Sequence, residues 1–554
     1  MMWYIVASMF IDTTVAVRNG KKYVRHLLRT SYREDGKVKH RTIANLSSCS
    51  DDEIKAIKLA LKHKESLSDL ASLKDVSSTL GKSIGAVWVS KIIAERIGIS
   101  KALGDEKAGK LALLQVIARL IDQGSRLSAV RLAKSHAVCE LLGIDKLVED
   151  DLYDNLAWLC DKQEAIEKKL FRLRFPNATP TLFLYDVTSA YLEGTCNQLA
   201  DWGYNRDKKS GKQQIVIGLL AGPDGLPIAV RVFEGNTNDT QTVSQQVKIL
   251  ASTFDVKHVT LVGDRGMLKG PQINDLPDDF RYITAITKPQ ITKMLSEGAL
   301  QYELFNERVC EVSSDGIRYV LRRNPIRAQQ IAETRKSKLD AVVKVARERT
   351  QYLAEHGKAK VDNALKKVVS KINKLKADKW LSATAHRREI SVSQDDDAIQ
   401  EEALLDGCYV IKSDVPRDDA DTQTLHDRYC DLENVERSFR TMKTAHLELR
   451  PVFVTKESST KGHVFVVMLA LLLQRQLEQY WKELDVTVEE GIEMLSDIHM
   501  QEIRLGNESI QNIPNPDQLG KQLLKSARIE LPSVLPSKTA NVATRKKLQT
   551  ERKK

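Results

Sequence analysis

The chain has 554 residues, of which 42% are hydrophobic and 29% are charged, and its formal net charge is +11. These values are close to globular averages and exclude a wholly disordered or fibrous chain, while the length predicts about three or four structural units. The apolar run 464–473 is too short to span a membrane, and the N-terminus lacks the basic region of a signal peptide. Seven cysteines without a C-x-x-C pair favour a reducing compartment. We therefore expect a cytoplasmic protein.

The positive charge is concentrated in two segments. Residues 321–380 contain 17 Lys and Arg against 6 Asp and Glu, and residues 521–554 contain 10 against 2. Localised positive charge is typical of a protein that binds a polyanion, most often nucleic acid. A solvated helix face and a disordered tail are the alternative interpretation of these segments.

The N-terminal part predicts strands followed by helices. Residues 1–48 alternate as strands do, with a hairpin turn at Asp35-Gly36, and a polar helical stretch follows to about Leu80. Residues 85–175 carry apolar residues three and four apart, which predicts helices. Within them, 111–133 fits either a DNA-binding helix-turn-helix or the commoner helical hairpin.

A change of pattern at residues 176–180 predicts the start of a sheet. TLFLYDVTSAYLE has the composition of a buried strand, and QQIVIGLLAG and LPIAVRVFEG form a hairpin about Pro223-Asp224-Gly225. A helical stretch at 241–253 and a further buried strand, HVTLVGDRG, follow. This succession predicts half of an α/β sheet that includes an antiparallel hairpin.

The C-terminal half predicts long helices around one more strand. The basic segment 327–379 has a helical pattern broken near Gly357, and the strand GCYVIKSDV follows it. Helices are predicted at 422–445 and, as an apolar core element, at 462–484, where His463 is expected to cap or pack rather than to bind a ligand. From Leu531 the composition predicts disorder.

Three acidic residues stand out by position. Asp186 follows the apolar run LFLY, and Asp264 follows VTLVG. A carboxylate at the end of a buried strand lies at the sheet edge where ligands usually bind. Glu436 lies on the predicted helix 422–445, where Tyr429, Glu433, Glu436, Arg440 and Lys443 recur three or four apart and share one face.

Such a set suits phosphoryl transfer. Two carboxylates on neighbouring strands and one on a helix can hold two Mg²⁺ ions roughly 4 Å apart for an in-line displacement. Arg440 and Lys443 would hold the phosphodiester beside them. Taken singly, each residue has a plainer interpretation, since Asp264 fits a turn and Glu436 with Arg440 fits an ordinary helical ion pair.

The strings YDVTSAYLEG, FEGNTNDTQT, VGDRGM and Y-x6-E-x2-FR-x2-K resemble the DDE transposases of bacterial insertion sequences, in particular a cut-and-paste group with a Y-R-E-K signature. The resemblance runs in order from about residue 20 to residue 480. It implies a ribonuclease-H-like core whose catalytic and metal-binding residues are Asp186, Asp264 and Glu436.

The resemblance also implies DNA contacts. Tyr429 and Lys443 match signature positions and would contact phosphates near the cut, whereas Leu432 stands where the signature has arginine. Arg437 or Arg440 would take over that arginine's contact. In the family-like GNTND string, Asn236, Asn238 and Asp239 are expected to structure a loop rather than to bind metal.

The predicted fold class is α/β, with a ribonuclease-H-like mixed sheet preceded by a β-hairpin region and a helical domain, and with a basic helical insertion in the core. The predicted domains are an N-terminal hairpin and helix region (1–80), a helical domain and candidate DNA-binding unit (81–175), the first part of the catalytic core (176–290), the basic insertion (291–410), the second part of the core (411–500) and a basic tail (501–554).

The predicted function is that of a transposase that binds terminal inverted repeats, cleaves there and joins the ends to double-stranded target DNA, with two Mg²⁺ ions for which Mn²⁺ can substitute. Joining two ends implies at least a dimer in the active complex, on the nucleoid of a bacterial cytoplasm and away from membranes. A catalytically inactive, transposase-derived DNA-binding protein is the alternative, and a nuclease that cuts without joining is a second one.

Overall fold

In the computed structural model the described residues are 8–34, 36–64, 76–177, 179–265, 267–444, 447–450, 452–505, 508–532 and 540–543. The chain divides into two units. Unit 1 comprises Met1–Gly81 and Met500–Pro514, and unit 2 comprises Lys82–His499 and Asn515–Lys554. No helix within the described ranges combines the length and apolar character needed to cross a membrane.

The described residues form both strands and helices. The strands are β1 (Met9–Arg18), β2 (Lys21–Glu34), β3 (Lys37–Asn45), β4 (Val76–Ser83), β5 (Lys146–Val148), β6 (Leu182–Tyr191), β7 (Gln214–Ala221), β8 (Pro227–Phe233), β9 (Val259–Gly263), β10 (Phe280–Ala285), β11 (Cys310–Ser314), β12 (Ile317–Arg323), β13 (Leu381–His386), β14 (Glu389–Gln394), β15 (Cys408–Ser413), β16 (His499–Leu505), β17 (Glu508–Asn512) and β18 (Asn541–Ala543). The helices are α1 (Asp51–Lys62), α2 (Gly85–Arg96), α3 (Ile99–Leu103), α4 (Lys107–Asp122), α5 (Arg126–Ser135), α6 (Val138–Leu142), α7 (Glu149–Arg174), α8 (Asp239–Lys248), α9 (Gly270–Asn274), α10 (Lys288–Ser296), α11 (Pro325–Glu355), α12 (Val361–Lys374), α13 (Asp396–Ala403), α14 (Thr422–Cys430), α15 (Leu432–Lys443), α16 (Glu457–Trp481), α17 (Val488–Ser496) and α18 (Gln518–Ser526).

Unit 1 contains an antiparallel sheet in the order β1-β2-β3. The predicted hairpin is confirmed by the pairing of β2 with β3, although Asp35 itself lies outside the described residues. The helical stretch predicted to Leu80 is wrong in its second half, because α1 ends at Lys62 and β4 begins at Val76. β4 pairs in a second sheet of order β17-β16-β4, and its partner lies more than 400 residues further along the chain.

An eight-stranded mixed sheet forms the centre of unit 2, in the order β11-β12-β15-β10-β9-β6-β7-β8. The predicted hairpin is present, since β7 pairs antiparallel with both β6 and β8. β6, β9 and β10 run parallel. All eight residues of β7 are buried, and the apolar run that follows Gln214 is typical of a strand covered on both faces.

Helix α16 packs against α4, α7 and strand β8, and most of its residues are buried. This confirms the predicted core helix, which begins five residues earlier than the predicted start at 462. At Gly462 an added Cβ would lie 2.1 Å from the Leu156 carbonyl oxygen of α7, so glycine allows the two helices to approach closely.

The basic segment folds as a helical hairpin with its own core. α11 and α12 are separated near Gly357 as predicted, and they pack with the unpredicted hairpin β13-β14. Val342, Val368 and Trp380 lie in this core. Arg388 donates from Nη2 to the carbonyl oxygens of Leu353 (2.7 Å) and His356 (2.9 Å) and so caps the end of α11. β11 and β12, which precede the helical hairpin in the chain, and β15, which follows it, extend the central sheet.

The C-terminal residues depart from the predicted disorder at one point. Asn541–Ala543 forms β18, which pairs parallel with β5. Residues 533–539 and 544–554 lie outside the described residues. A three-residue strand with a distant partner carries no local pattern, which is why composition alone did not predict it.

Candidate active site

The two aspartates lie side by side on neighbouring parallel strands. The register pairs Tyr185 of β6 with Gly263 of β9, and Asp186 and Asp264 each come next in the chain. Asp264 ends β9 as predicted. Asp186 does not end its strand, because the apolar and β-branched residues after it continue the pairing with β7 as far as Tyr191.

Glu436 approaches these aspartates from helix α15, which packs on β6. Val435, Phe439 and Met442 form the buried face of this helix, and Glu436 lies on its exposed side. Buried Arg475 of α16 holds α15 in place, with Nη2 3.4 Å from both Ser438 Oγ and Thr441 Oγ1.

The predicted helix 422–445 is two helices, with the break at Asp431, and Ala445 lies outside the described residues. Tyr429 therefore belongs to α14, whereas Glu433, Glu436, Arg440 and Lys443 belong to α15. Leu432, at the signature's arginine position, is buried at the start of α15.

The pKa of Asp186 responds to the charges of the other two acidic residues. Burial, together with the negative charges of Asp264 and Glu436, raises the pKa of Asp186 to about 7, while a hydrogen bond from the Val187 N–H and the charge of Arg206 limit the rise. Asp186 is half-buried, whereas Asp264 and Glu436 are exposed. The structure thus brings together all three residues that the sequence singled out.

Tyr429 lies against Asp264. Its hydroxyl donates to Asp264 Oδ1 over 3.4 Å, and Oδ1 also accepts the Arg265 N–H at 2.7 Å. Burial and the charge of Asp264 raise the pKa of Tyr429, so its proton stays in place to donate. The contact fixes the orientation of one catalytic candidate.

Lys443 is held by another carboxylate. Its Nζ lies 3.0 Å from Asp207 Oδ1, which Arg450 also contacts, and the side chain of Asp207 is 2% exposed. Burial lowers the pKa of Lys443, and the charge of Asp207 opposes this. By contrast, Arg437 and Arg440 are exposed and form no ion pair within the described part of the chain. Arg437 and Arg440 are therefore more available than Lys443 to bind an anion beside Glu436.

Sequence reasoning missed two residues that organise the site. Asp207 joins Lys443 and Arg450, and Arg206 binds both oxygens of Asp239 at 2.7 and 2.6 Å. Both lie in a polar loop without periodicity, so no local signal marked them. In the GNTND string, Asn236 Nδ2 donates to Asp201 Oδ2 at 2.7 Å and Asn238 caps α8, contacts that fit the predicted structural role.

The donor chemistry of the site suits a hard divalent cation, since the three candidates are all carboxylates. Across the described ranges, no group of three or more His, Cys, Asp or Glu is arranged to hold a metal ion. The three carboxylates as placed therefore fit such an ion by chemistry and charge but do not form a closed set of ligands.

Comparisons with known proteins point the same way. The profile of the IS1634 family transposase N-terminal domain matches residues 11–72, and the profile of the transposase DDE domain matches residues 177–473. The second match covers more than half of the chain and includes all three acidic residues. A search of curated proteins finds no match.

One solved structure is similar over 71% of this chain and 70% of its own, at 10% sequence identity and a TM-score of 0.35. Its title is "Cryo-EM structure of piggyBac transposase synaptic complex with hairpin DNA (SNHP)". A TM-score this low does not establish a shared fold.

Proposed function

We propose that this chain, which belongs to the DDE transposases of insertion sequences, binds the ends of its element, cleaves DNA there and joins the ends to target DNA. The observation that carries the proposal is the meeting of Asp186, Asp264 and Glu436, in which the charges of the last two raise the pKa of Asp186. They come from two adjacent strands and one helix packed on the sheet, which is the arrangement that a ribonuclease-H-like core implies.

The three carboxylates would hold the divalent ions of the reaction, with Mg²⁺ favoured by its preference for oxygen ligands. Such ions, when bound, would supply activation of the attacking water or 3′-hydroxyl and stabilisation of the leaving oxygen. Tyr429 keeps Asp264 oriented through its hydroxyl. Cleavage and joining are both in-line attacks on a phosphodiester, so one site serves for both.

Arg437 and Arg440 would hold the phosphodiester at the cut. Both are exposed, lie one helical turn or less from Glu436 and lack an ion-pair partner among described residues. Guanidinium groups bind phosphate oxygens through paired hydrogen bonds. Lys443 is less available to bind the phosphodiester, because its ammonium group already binds Asp207.

The basic helical hairpin would supply further contacts to the DNA backbone. Lys366, Lys367 and Lys374 of α12 are exposed, and no ion pair joins them to other described residues. Phosphate contacts of this kind make affinity fall steeply as salt rises. If affinity for element ends hardly changed between low and moderate salt, this assignment would be wrong.

The proposal is tested with linear DNA that carries the gene with its native flanks, incubated with purified protein and Mg²⁺. We expect discrete cuts at two flanking positions and joined products with added target DNA. Asp264→Asn should lose both products. Asp255→Asn is the matched control, because Asp255 is exposed and its backbone φ of 55° suits asparagine.

Two other outcomes would contradict the proposal. End binding without cuts in either Mg²⁺ or Mn²⁺ would identify an inactive DNA-binding descendant. Diffuse cutting that needs Asp264 but gives no joined product would identify a nuclease.

A further inference from the structure

A cavity of about 460 Å³ lies in unit 2, among residues that the acidic site does not use. It is lined by the end of α4, the start of α5, the first third of α7, and the segment that leads into and begins α16. Its volume falls within the range of small-ligand sites.

Two buried arginines face this cavity. Arg119 is 4% and Arg126 is 5% exposed. Arg126 donates from Nη1 to Gln115 Oε1 at 2.9 Å, and Arg119 donates from Nη1 to backbone carbonyls. The buried Nε of Arg119 has no hydrogen-bond partner, and neither guanidinium forms an ion pair with a described residue.

The two positive charges are close enough to repel each other. Burial and the charge of Arg119 lower the pKa of Arg126 to about 9, which leaves it protonated at neutral pH. His463, also lining the cavity, has its pKa lowered well below the usual range by burial and by both arginines, and so stays neutral. The charges of Glu448 and Asp122 favour the charged form of Arg119, but neither arginine has a described carboxylate within ion-pair distance. Buried charges that lack a direct counter-ion are costly, which indicates that an anion completes the site.

The start of α16 adds free hydrogen-bond donors. The N-cap residue of this 25-residue helix, Lys456, makes no side-chain cap, and Gln198 Oε1 accepts the N–H of Glu457 at 2.8 Å. Within the described residues, no acceptor is found for the backbone N–H groups of Ser458 and Ser459, and both residues line the cavity. Free N–H groups at a helix N-terminus bind phosphate groups, and the helix dipole favours the anion there.

Two carboxylates and two aromatic rings complete the lining. Asp154 and Glu448 are exposed at the cavity, which leaves one more cation than carboxylate, counting Arg119, Arg126 and Lys456. Phe453 is 70% and Tyr153 is 40% exposed, so both offer open ring surface beside the cations. Flat apolar surface next to an anion site suits a nucleotide, whose base can stack.

We propose that this cavity binds the phosphate of a nucleotide, held by Arg119, Arg126 and the N-terminus of α16. The nucleotide is either part of a DNA strand or free. The site shares no residue with the acidic centre, so the proposal stands or falls separately from the proposed catalysis.

Calorimetric titration of the full chain in magnesium-free buffer tests the proposal, with inorganic phosphate and dAMP as probes. We expect saturable binding of both, with dAMP the tighter ligand. Ser458→Asp should weaken both at least tenfold, because a carboxylate would occupy the anion position. The same change preserves the fold, since a negative charge in the first turn suits the helix dipole. Phe453→Ala should lower the affinity for dAMP toward that for phosphate and leave phosphate binding unchanged.

Two variants serve as controls. Gln518→Asp adds the same charge in the first turn of α18, away from the cavity, and should bind as the wild type does. Asp264→Asn should also retain phosphate binding. No saturable binding at millimolar phosphate, unchanged binding in Ser458→Asp, or loss of binding in Asp264→Asn would each overturn the proposal.

Competition then distinguishes the two sources of the phosphate. Displacement of bound dAMP by short DNA would show that the cavity holds a nucleotide of a strand. Continued binding of dAMP beside DNA would show that it takes a free nucleotide. Either result upholds the site.

Discussion

The position of Asp186 makes folding stability depend on pH when no metal is bound. Burial, reinforced by Asp264 and Glu436, raises the pKa of this carboxyl group from an ordinary 3.8 to about 7. The folded chain therefore binds this proton more tightly than the unfolded chain does. The resulting stability is fully present below about pH 4, where both states are protonated, and is lost as the pH rises to about 7.

The magnitude follows from the two pKa values. At about 1.4 kcal/mol for each tenfold change in proton affinity, the difference between 3.8 and about 7 corresponds to at most about 4 kcal/mol. Asp186 is only half-buried, so water screens part of the effect. Taking half as the measurable part gives about 2 kcal/mol.

Asp186→Asn removes the charge with little change of shape. We expect urea unfolding in EDTA to show a pH-dependent difference in the free energy of unfolding between the variant and the wild type. This difference should shift by about 2 kcal/mol in favour of the variant as the pH rises from about 4 to about 8. Adding Mg²⁺ at the higher pH should narrow the gap, because a bound cation favours the charged carboxylate. The control Asp255→Asn alters an exposed group and should show no such gain. An advantage of Asp186→Asn that does not change with pH would refute the reasoning.

Three further changes test the packing and the DNA contacts. Asp207→Asn should lower the free energy of unfolding, measured in urea, by about 3–5 kcal/mol, because it leaves the buried ammonium of Lys443 without its counter-charge. Gly462→Ala should cost about 1–3 kcal/mol and lower the calorimetric melting temperature, since its Cβ would lie 2.1 Å from the Leu156 carbonyl oxygen. Arg440→Gln should weaken duplex DNA binding and reduce the slope of log affinity against log salt by about 1 in fluorescence anisotropy, because one phosphate contact is lost.

Matched controls separate these effects from general damage. Glu193→Gln breaks an exposed pair with Lys212 and should cost less than about 1 kcal/mol. Arg172→Gln removes an exposed charge of α7 and should leave the salt slope unchanged. The prediction for Asp207 would be contradicted if Asp207→Asn and Glu193→Gln lowered the free energy of unfolding equally. The prediction for Gly462 would be contradicted if Gly462→Ala kept the wild-type melting temperature, and that for Arg440 if Arg440→Gln kept the wild-type salt slope.

The sequence predicted the elements whose pattern is local. The antiparallel hairpin of β7 and β8, the break between α11 and α12, and the buried helix α16 all follow from apolar periodicity and turn residues. It did not predict β4 or β18, because each depends on a partner strand hundreds of residues away. A short strand gains its stability from that pairing, and its own residues carry little signal.

The residues of the candidate site also differ in whether a local sequence pattern marks them. Asp186 and Asp264 could be found because apolar strand residues precede them, and Glu436 because it lies in a recognisable string. The partners that hold the site, Arg206 and Asp207, lie in an irregular loop and gain their roles only from tertiary contacts. The pairing of Lys443 with Asp207 likewise could not be foreseen from helical spacing.

The most direct test of the central claim is single-turnover cleavage of end DNA by the variants Asp186→Asn, Asp264→Asn and Glu436→Gln, with Asp255→Asn as the control. If the three carboxylates form one catalytic centre, each variant should lose cleavage to background while the control cleaves at the wild-type rate, and all four should still bind the ends. Cleavage at the wild-type rate by any one of the three variants would contradict the claim.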